Sequence, residues 1–389
     1  MKKLLPILVA IAVLISLHYP TQEAEAIPAF ARKYKISCST CHVSIPKLKE
    51  YGEDFAGNGF VLPDGEEPRR SFIDTGDDAL ILQRELPIAV RFDAFLQAED
   101  RETAKSDFQT PYGIKLLSGG QISKSISYYF YFYLGERGEV AGLEDAYVHF
   151  NNLAKSNFDI MLGQFQVSDP LFKRELRLTF EDYKIYTVEP GNSEANLSYD
   201  RGVMLTYGFD FGLDLIGEVL NGNGIGPAED RLFDFDSNKN FVLRASQSFG
   251  PVRIGAFGYF GEEKNEAGYK NSIRYYGPDA TVAIKNWELN VQFLHRRDDN
   301  PLFMASDELE TTLDGGLAEL IFAPRGDRSL WFFTALYNRI AGTGSAFDYE
   351  TLTFSASRLV ARNFRILGEV TQDFITDKPR LTVGVVSAF

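Results

Sequence analysis

The sequence predicts an all-β fold, a transmembrane β-barrel of about 16 antiparallel strands over residues 81–389, behind a small, mainly α segment at 27–80. Three observations carry this. From about Leu86 to Phe389 short segments alternate apolar and polar residues, as in Ser125–Leu134, Trp287–Leu294, Leu330–Asn338 and Arg380–Phe389. In the second, Trp287, Leu289, Val291 and Phe293 share one face of a strand while Glu288, Asn290 and Gln292 share the other, an apolar-out, polar-in pattern. The connections then alternate in length. Short turns fall near Ser123-Lys124, Ala154-Lys155, Gly208-Phe209, Gly250-Pro251, Lys285-Asn286, Arg325-Gly326 and Ala361-Arg362, with longer polar loops around 99–111, 135–141, 165–197, 221–239, 261–271, 297–310, 340–346 and 374–378. That count places both ends of the barrel on the short-turn side, and the chain closes on an aromatic, Phe389. Finally, helical periodicity is missing over this region, and the composition is rich in Phe (32), Tyr (19) and Gly (33) at a mean hydropathy of −0.17. A sandwich or propeller also alternates, but neither explains the regular short–long connections, and no repeat of fixed period supports a propeller.

The first element is an address. Lys2 and Lys3 precede the apolar run Leu4–Leu17, and Ala24-Glu25-Ala26 forms a small-x-small cleavage site, so residues 1–26 read as a secretory signal. The run is too short to span a bilayer. The whole chain carries 40 Lys+Arg against 54 Asp+Glu, a net charge of −14. The leader holds two of each sign, so this balance survives cleavage. Such acidity excludes nucleic acid as a partner and suits cations or basic proteins.

Residues 27–80 contain the only two cysteines, in Cys38-Ser39-Thr40-Cys41-His42. C-x-x-C-H is the attachment signature of a single covalent c-type haem (heme c). Two thiols at that spacing add to the two vinyl groups on one porphyrin edge, and the following His ligates iron as a neutral imidazole. A thioredoxin-type pair needs a βαβ surround that is missing here, and a zinc site needs further Cys or His, of which none occurs before His149. A disulfide would leave His42 a coincidence. Ser44-Ile45-Pro46 reads as a helix start, Ile45, Leu48, Tyr51 and Phe55 recur at helical spacing, and Gly57-Asn58-Gly59 stops the run. Phe30 and Ile36 then cover the other side of the haem. So short a segment buries little surface alone and is expected to dock onto the barrel.

Any second protein ligand to the iron must come from the barrel. Alternation points His149, Met161 and Met204 into the lumen, His295 outward, and leaves Met304 in a loop. His149 ranks first, being close to a short turn, followed by Met161 and then Met204. An open or water-ligated iron is the alternative. The longest loop, 165–197, is too apolar for free solvation, with Leu171, Phe172, Leu176, Leu178 and Phe180. It is expected to fold into the lumen, with Lys173, Arg174, Glu175 and Arg177 lining a constriction; capping the outer rim is the alternative. Acidic loop pairs, Glu99-Asp100, Asp298-Asp299 and Asp307-Glu308, with Glu310, could concentrate cations, but for any one of them a solvated loop that keeps the barrel soluble in transit is the favoured reading.

A leader followed by Pro28-x-Phe30-Ala31-Arg32, Cys38-x-x-Cys41-His42, Pro46-x-Leu48, Gly52 and Asn58-Gly59-Phe60, ahead of a barrel, resembles the fused monohaem c-type cytochrome–porins of the bacterial outer membrane, best known as iron oxidases. The specific match lies within the haem segment; over the barrel only architecture and length agree. The resemblance implies one haem on Cys38, Cys41 and His42, held at the periplasmic side or inside the barrel. It implies electron transfer across the outer membrane, from extracellular Fe(II) or another redox partner to a periplasmic carrier. Two other readings stand beside it: a diffusion porin with a haem-bearing plug or gate, and outward electron transfer to extracellular acceptors. Nucleophile-elbow, phosphate-loop and zinc-hydrolase motifs are missing.

Overall fold

The computed structural model describes residues 29–62, 72–73, 75–76, 82–84, 86–100, 105–123, 125–228, 230–234, 236–305 and 310–389. The leader, the boundary at 80–81 and the pair Asp307-Glu308 lie outside the described residues.

The barrel forms as the alternation requires. Its first eight strands are β1 (Ile88–Glu99), β2 (Ser106–Ser123), β3 (Ile126–Glu136), β4 (Leu143–Phe150), β5 (Phe158–Gln166), β6 (Tyr199–Gly208), β7 (Leu213–Leu220) and β8 (Asn240–Phe249). The second eight are β9 (Val252–Lys264), β10 (Lys270–Ile284), β11 (Trp287–Asp298), β12 (Thr311–Phe322), β13 (Trp331–Gly342), β14 (Tyr349–Ala361), β15 (Phe364–Asp373) and β16 (Lys378–Ala388). Each pairs antiparallel with the next, and β16 pairs with β1 to close the sheet. Val90 and Phe389 seal the seam, exchanging backbone hydrogen bonds of 2.7 and 2.8 Å. Closure matters because an open edge has no hydrogen-bonding partner in lipid. All seven short turns fall where the sequence puts them; the loop expected at 99–111 is shorter, since β2 already begins at Ser106.

The two faces sort as expected. On β11, Trp287 and Phe293 are 49% and 47% exposed, whereas Asn290 and Gln292 are 4% and 2%. Phe241, Leu243, Ile254, Phe354 and Val370 extend this exposed apolar surface onto other strands, a surface that suits hydrocarbon and not water. Near the short turns Trp287 stacks on Phe322 at 4.2 Å and Phe322 on Phe333 at 6.3 Å, part of an aromatic girdle.

The interior is the unexpected part. The loop at 167–198 turns inward, as the sequence predicts, but it does more than narrow a channel. Val167, Ile185, Tyr186 and Leu197 are fully buried against the inward-facing Leu220, Val242, Leu313, Leu317 and Leu336. A second cluster joins Leu178 to Phe332, Leu359, Leu367 and Val386. Each buried Leu or Ile contributes roughly 1.5–3 kcal/mol, so the loop is anchored to the wall as a protein core is packed, with cavities of about 840 and 700 Å³ left beside it.

The loop's backbone is satisfied by the wall. Glu369 accepts from the amides of Phe180 and Glu181 at 2.8 and 2.9 Å, and Glu263 from those of Glu194 and Ala195 at 2.8 and 2.7 Å. Arg296 and Arg365 donate to the carbonyls of Val188 and Leu178 at 2.7 and 2.6 Å. Inward polar residues thus do for an irregular segment what neighbouring strands do for a sheet.

The segment at 29–62 sits in the short-turn mouth. It comprises α1 (Ala29–Tyr34), α2 (Cys38–Cys41), a small hairpin of His42–Ser44 with Lys47–Leu48, and α3 (Glu50–Gly57). Here one expectation is corrected. Ser44-Ile45-Pro46 belongs to the tight hairpin turn, and the helix starts only at Glu50, with Lys49 as its N-cap. Pro46 lacks the amide a strand or helix interior needs, and a turn makes no such demand. The predicted stop holds: Gly59 takes φ +67°, the left-handed conformation that follows a helix end.

Candidate functional site

Cys38 and Cys41 lie one helical turn apart on α2, with no disulfide between them. The Ser37 hydroxyl caps that turn by accepting from the Ser39 amide at 3.3 Å. His42 follows in extended conformation, and its Nδ1 meets the Pro46 carbonyl at 3.0 Å. Because a carbonyl only accepts, Nδ1 carries the proton and Nε2 keeps its lone pair. Burial pushes the His42 imidazole below its ordinary range, against the opposing pull of the Pro46 and Lys47 carbonyls, so the ring is neutral near pH 7. Burial likewise raises both thiols.

Close packing holds the pair. A Cβ at Gly52 would stand 2.3 Å from the Cys41 carbonyl oxygen, so only glycine lets α3 approach α2 this closely. Tyr34, Cys41, Phe55 and Phe60 form a small core, with Phe30 stacked on Phe60 at 5.0 Å. The predicted docking is present. Phe60 stacks on Tyr129 of β3 at 5.1 Å, and Asn152 donates to Asn58 at 2.9 Å. Lys47 pairs with Glu288 of β11 at 2.7 Å, and Glu53 with Lys173 of the lumen loop at 3.5 Å.

Between segment and wall lies a cavity of about 270 Å³ lined by Cys38, Cys41 and His42 on one side. This is near the small end of the ~300–1,000 Å³ usual for ligand pockets. Phe30, Leu48, Phe55 and Phe60 make its near side apolar; Arg91, Lys115, Lys173, Glu175, Asp145 and Asp169 bring charge from the wall and loop. Glu175 is ion-paired to Lys115 and accepts from the Tyr131 hydroxyl at 2.8 Å. Burial acts to raise the Glu175 carboxyl, but Lys115, Arg177 and Arg91 outweigh it and hold it well below the usual range. Burial pushes Asp169 up to about 6 against the pull of Lys173. One Asp145 oxygen is buried without a hydrogen bond.

These residues fit a c-type haem. They offer two thiols at one edge, an imidazole with a fixed tautomer and an apolar surround; the cations that line the cavity, Arg91, Lys115 and Lys173, are paired with Asp93, Glu175 and Glu53. Cys38, Cys41 and His42 would hold it.

The remaining site residues fall elsewhere. His149 is 5% exposed on the inward face of β4, directly across from Met161 of β5, which faces Met204 of β6. Each points inward as predicted, but none of the three lines the cavity; Tyr147, two residues before His149, does. The structure brings His149 and Met161 to each other and not to the cysteine pair. His295 points outward and hydrogen-bonds Asp314 at 2.8 Å, and Met304 is exposed in its loop, both as expected.

Two other expectations are refined. Lys173 and Arg177 line a lumen cavity of about 840 Å³, and Arg177 also lines a second of about 700 Å³; the charged side chains are paired there, Arg174 and Arg177 sharing Asp182, the former through a 3.2 Å hydrogen bond. Among the acidic pairs, Asp298 is wholly buried against Arg296, Asp299 and Glu310 flank Arg297 at 3.0 and 2.8 Å, and Asp100 lies 3.5 Å from Lys105. A local basic residue takes the place of solvent cations. Lys115, Glu263 and Glu369 were not singled out from the sequence. Their inward position was readable from alternation, but the loop segment each would meet was not.

No known family profile and no curated protein sequence matches this chain. Solved structures do. The chain is similar to a loop L8 deletion mutant of OmpT, an outer membrane protein of Vibrio cholerae, with TM-score 0.57, 12% identity, and 78% of this chain and 99% of that one covered. It is also similar to an anion-selective porin from Comamonas acidovorans (TM-score 0.55, 9% identity, 78% and 98% covered) and to the outer membrane channel DcaP of Acinetobacter baumannii (0.54, 10%, 78% and 97%). The fold is that of the porins. At these identities the likeness is one of architecture alone.

Proposed function

We propose that this chain is an outer-membrane electron conduit. Cys38 and Cys41 bind one c-type haem covalently, His42 ligates its iron, and electrons pass from extracellular Fe(II) to a soluble periplasmic carrier. The observation that carries this reading is the placement of Cys38, Cys41 and His42 on one cavity, with His42 Nδ1 tied to the Pro46 carbonyl. A haem supplies one-electron chemistry whose potential the protein tunes through ligand, burial and hydrogen bonds. The chain does the rest. Pro46 fixes the ring that ligates, Phe30, Phe55 and Phe60 exclude water, and the barrel carries the site into an insulating band about 25 Å tall.

A diffusion porin with a haem-bearing plug is the second reading, favoured by the porin architecture. Against it stands the lumen, where the loop at 167–198 is packed into the apolar wall and the N-terminal segment occupies the mouth. The test is anaerobic mixing of the detergent-purified protein with Fe(II), followed by visible absorption. Covalent haem that Fe(II) reduces rapidly is the expected result, with Cys38→Ala plus Cys41→Ala abolishing attachment. Haem reduced by dithionite but not by Fe(II) would remove Fe(II) as donor, leaving outward transfer. Ready swelling of liposomes by the loaded protein in sugar solutions would favour the porin.

A further inference from the structure

We propose that His149, Met161 and Met204 form a site for a soft monovalent cation of the Cu(I) class on the inner wall of the barrel. The three occupy successive strands at one level. His149 is registered on Met161, Met161 on Met204, and Met204 on Glu218 of β7. Directly opposed residues on one face have Cβ atoms about 4.5–5.5 Å apart, so an imidazole and two thioethers converge on one patch. His149 and Met204 are each 5% exposed, and Met161 packs against the cluster that contains Met204.

The wall alone explains a buried Met204 and a half-buried Met161, but not their polar neighbours. His149 Nδ1 is buried without a hydrogen-bond partner, and so are both carboxylate oxygens of Glu218. Leaving such groups unpaired is costly, and an absent ion is one of the standard explanations for them. The other imidazole nitrogen, Nε2, lies 3.8 Å from an Asp159 oxygen. At that distance the carboxylate faces the ring without hydrogen-bonding it, near where a carboxylate steers the second nitrogen of a ligating histidine. Thioether donors select Cu(I), imidazole suits copper, and Glu218 places a carboxyl group on the next strand. Among the described residues no cluster of three His, Cys, Asp or Glu is placed to hold a harder ion.

The site is separate from the cavity at Cys38 and does not rest on the haem reading. The test is anaerobic titration of the full-length, detergent-solubilised protein with Cu(I) against a chromophoric Cu(I) chelator. It is repeated in Cys38→Ser plus Cys41→Ser, which removes competing thiols. One equivalent of Cu(I) bound by the thiol-free form, displaced by Ag(I) and not by Zn(II), is expected. Met161→Leu plus Met204→Leu should abolish it, and Asp159→Asn should weaken it ~10-fold or more. The single change Met161→Leu, at a half-buried position, guards against a folding defect and should weaken binding by itself. Cu(I) binding absent from the thiol-free form, or unchanged by the methionine substitutions, would overturn the proposal. So would a shifted haem absorption spectrum in the methionine variants, which would make these residues iron ligands.

Discussion

Gly52 governs the packing of the Cys38–His42 motif, and Asp182 the fastening of the lumen loop. Gly52 has no tolerance for a side chain, because its Cβ would press on the Cys41 carbonyl. Gly52→Ala should cost about 1–3 kcal/mol of overpacking and lower the yield of haem-attached protein, read by haem stain and thermal melting. Asp182 is the acid-sensitive point of the lumen loop. Burial would raise its carboxyl, yet Arg177 and Arg174 hold it at about 2, below the ~3.9 of an unfolded Asp. Its stabilisation is therefore complete above about pH 4 and is lost as pH falls through about 2, since the unfolded chain takes up the proton first. Planar-bilayer conductance should accordingly rise between pH 4 and pH 2, and Asp182→Asn should show the raised conductance already at pH 7. A wild-type conductance flat down to pH 2 would show that the Asp182 pairs do not fasten the loop.

At the scale of elements, the loop at 167–198 is held by two kinds of contact that fail differently. Its apolar residues are distributed over both core clusters, so no single truncation frees it. Its backbone depends on a few inward carboxylates, and Glu369 serves two amides at once. Glu369→Gln keeps one acceptor and loses the other, for about 1–3 kcal/mol. The expected outcome is faster proteolysis near Phe180 with the barrel's circular dichroism unchanged; cleavage at the wild-type rate would assign the loop's order to its apolar packing alone. The N-terminal segment is fastened by the pairs Lys47–Glu288 and Lys173–Glu53, by stacking on Tyr129 and by Asn152. Lys47→Glu sets two carboxylates face to face and should release it, which protease access to the 50–62 region would report.

For the molecule as a whole, the consequence is a barrel built like a porin and narrowed by a packed inner loop, with cavities of about 840 and 700 Å³ beside that loop. Wild-type protein should give negligible liposome swelling, and deleting residues 171–196 should open a channel while the closed sheet survives, because strand pairing does not pass through that loop. If both proteins swell liposomes alike, the lumen is not closed by this loop. Strand number, turn positions, the lipid-facing residues and the inward set of His149, Met161 and Met204 were all legible in the sequence, because a period of two and the length of a turn are local properties. The motif at Cys38–His42 was legible for the same reason, since its spacing is set within one helical turn. What the sequence alone left open was settled across distance. Glu175 meets Lys115 and Asp298 is taken by Arg296, where alternation and composition suggested a lined channel and a solvated cluster. His149 lies beside two thioethers and away from the cysteine pair. Alternation says which way a side chain points, but its partner depends on how an irregular loop and a docked segment fill the space inside, and that only the closed tertiary structure decides.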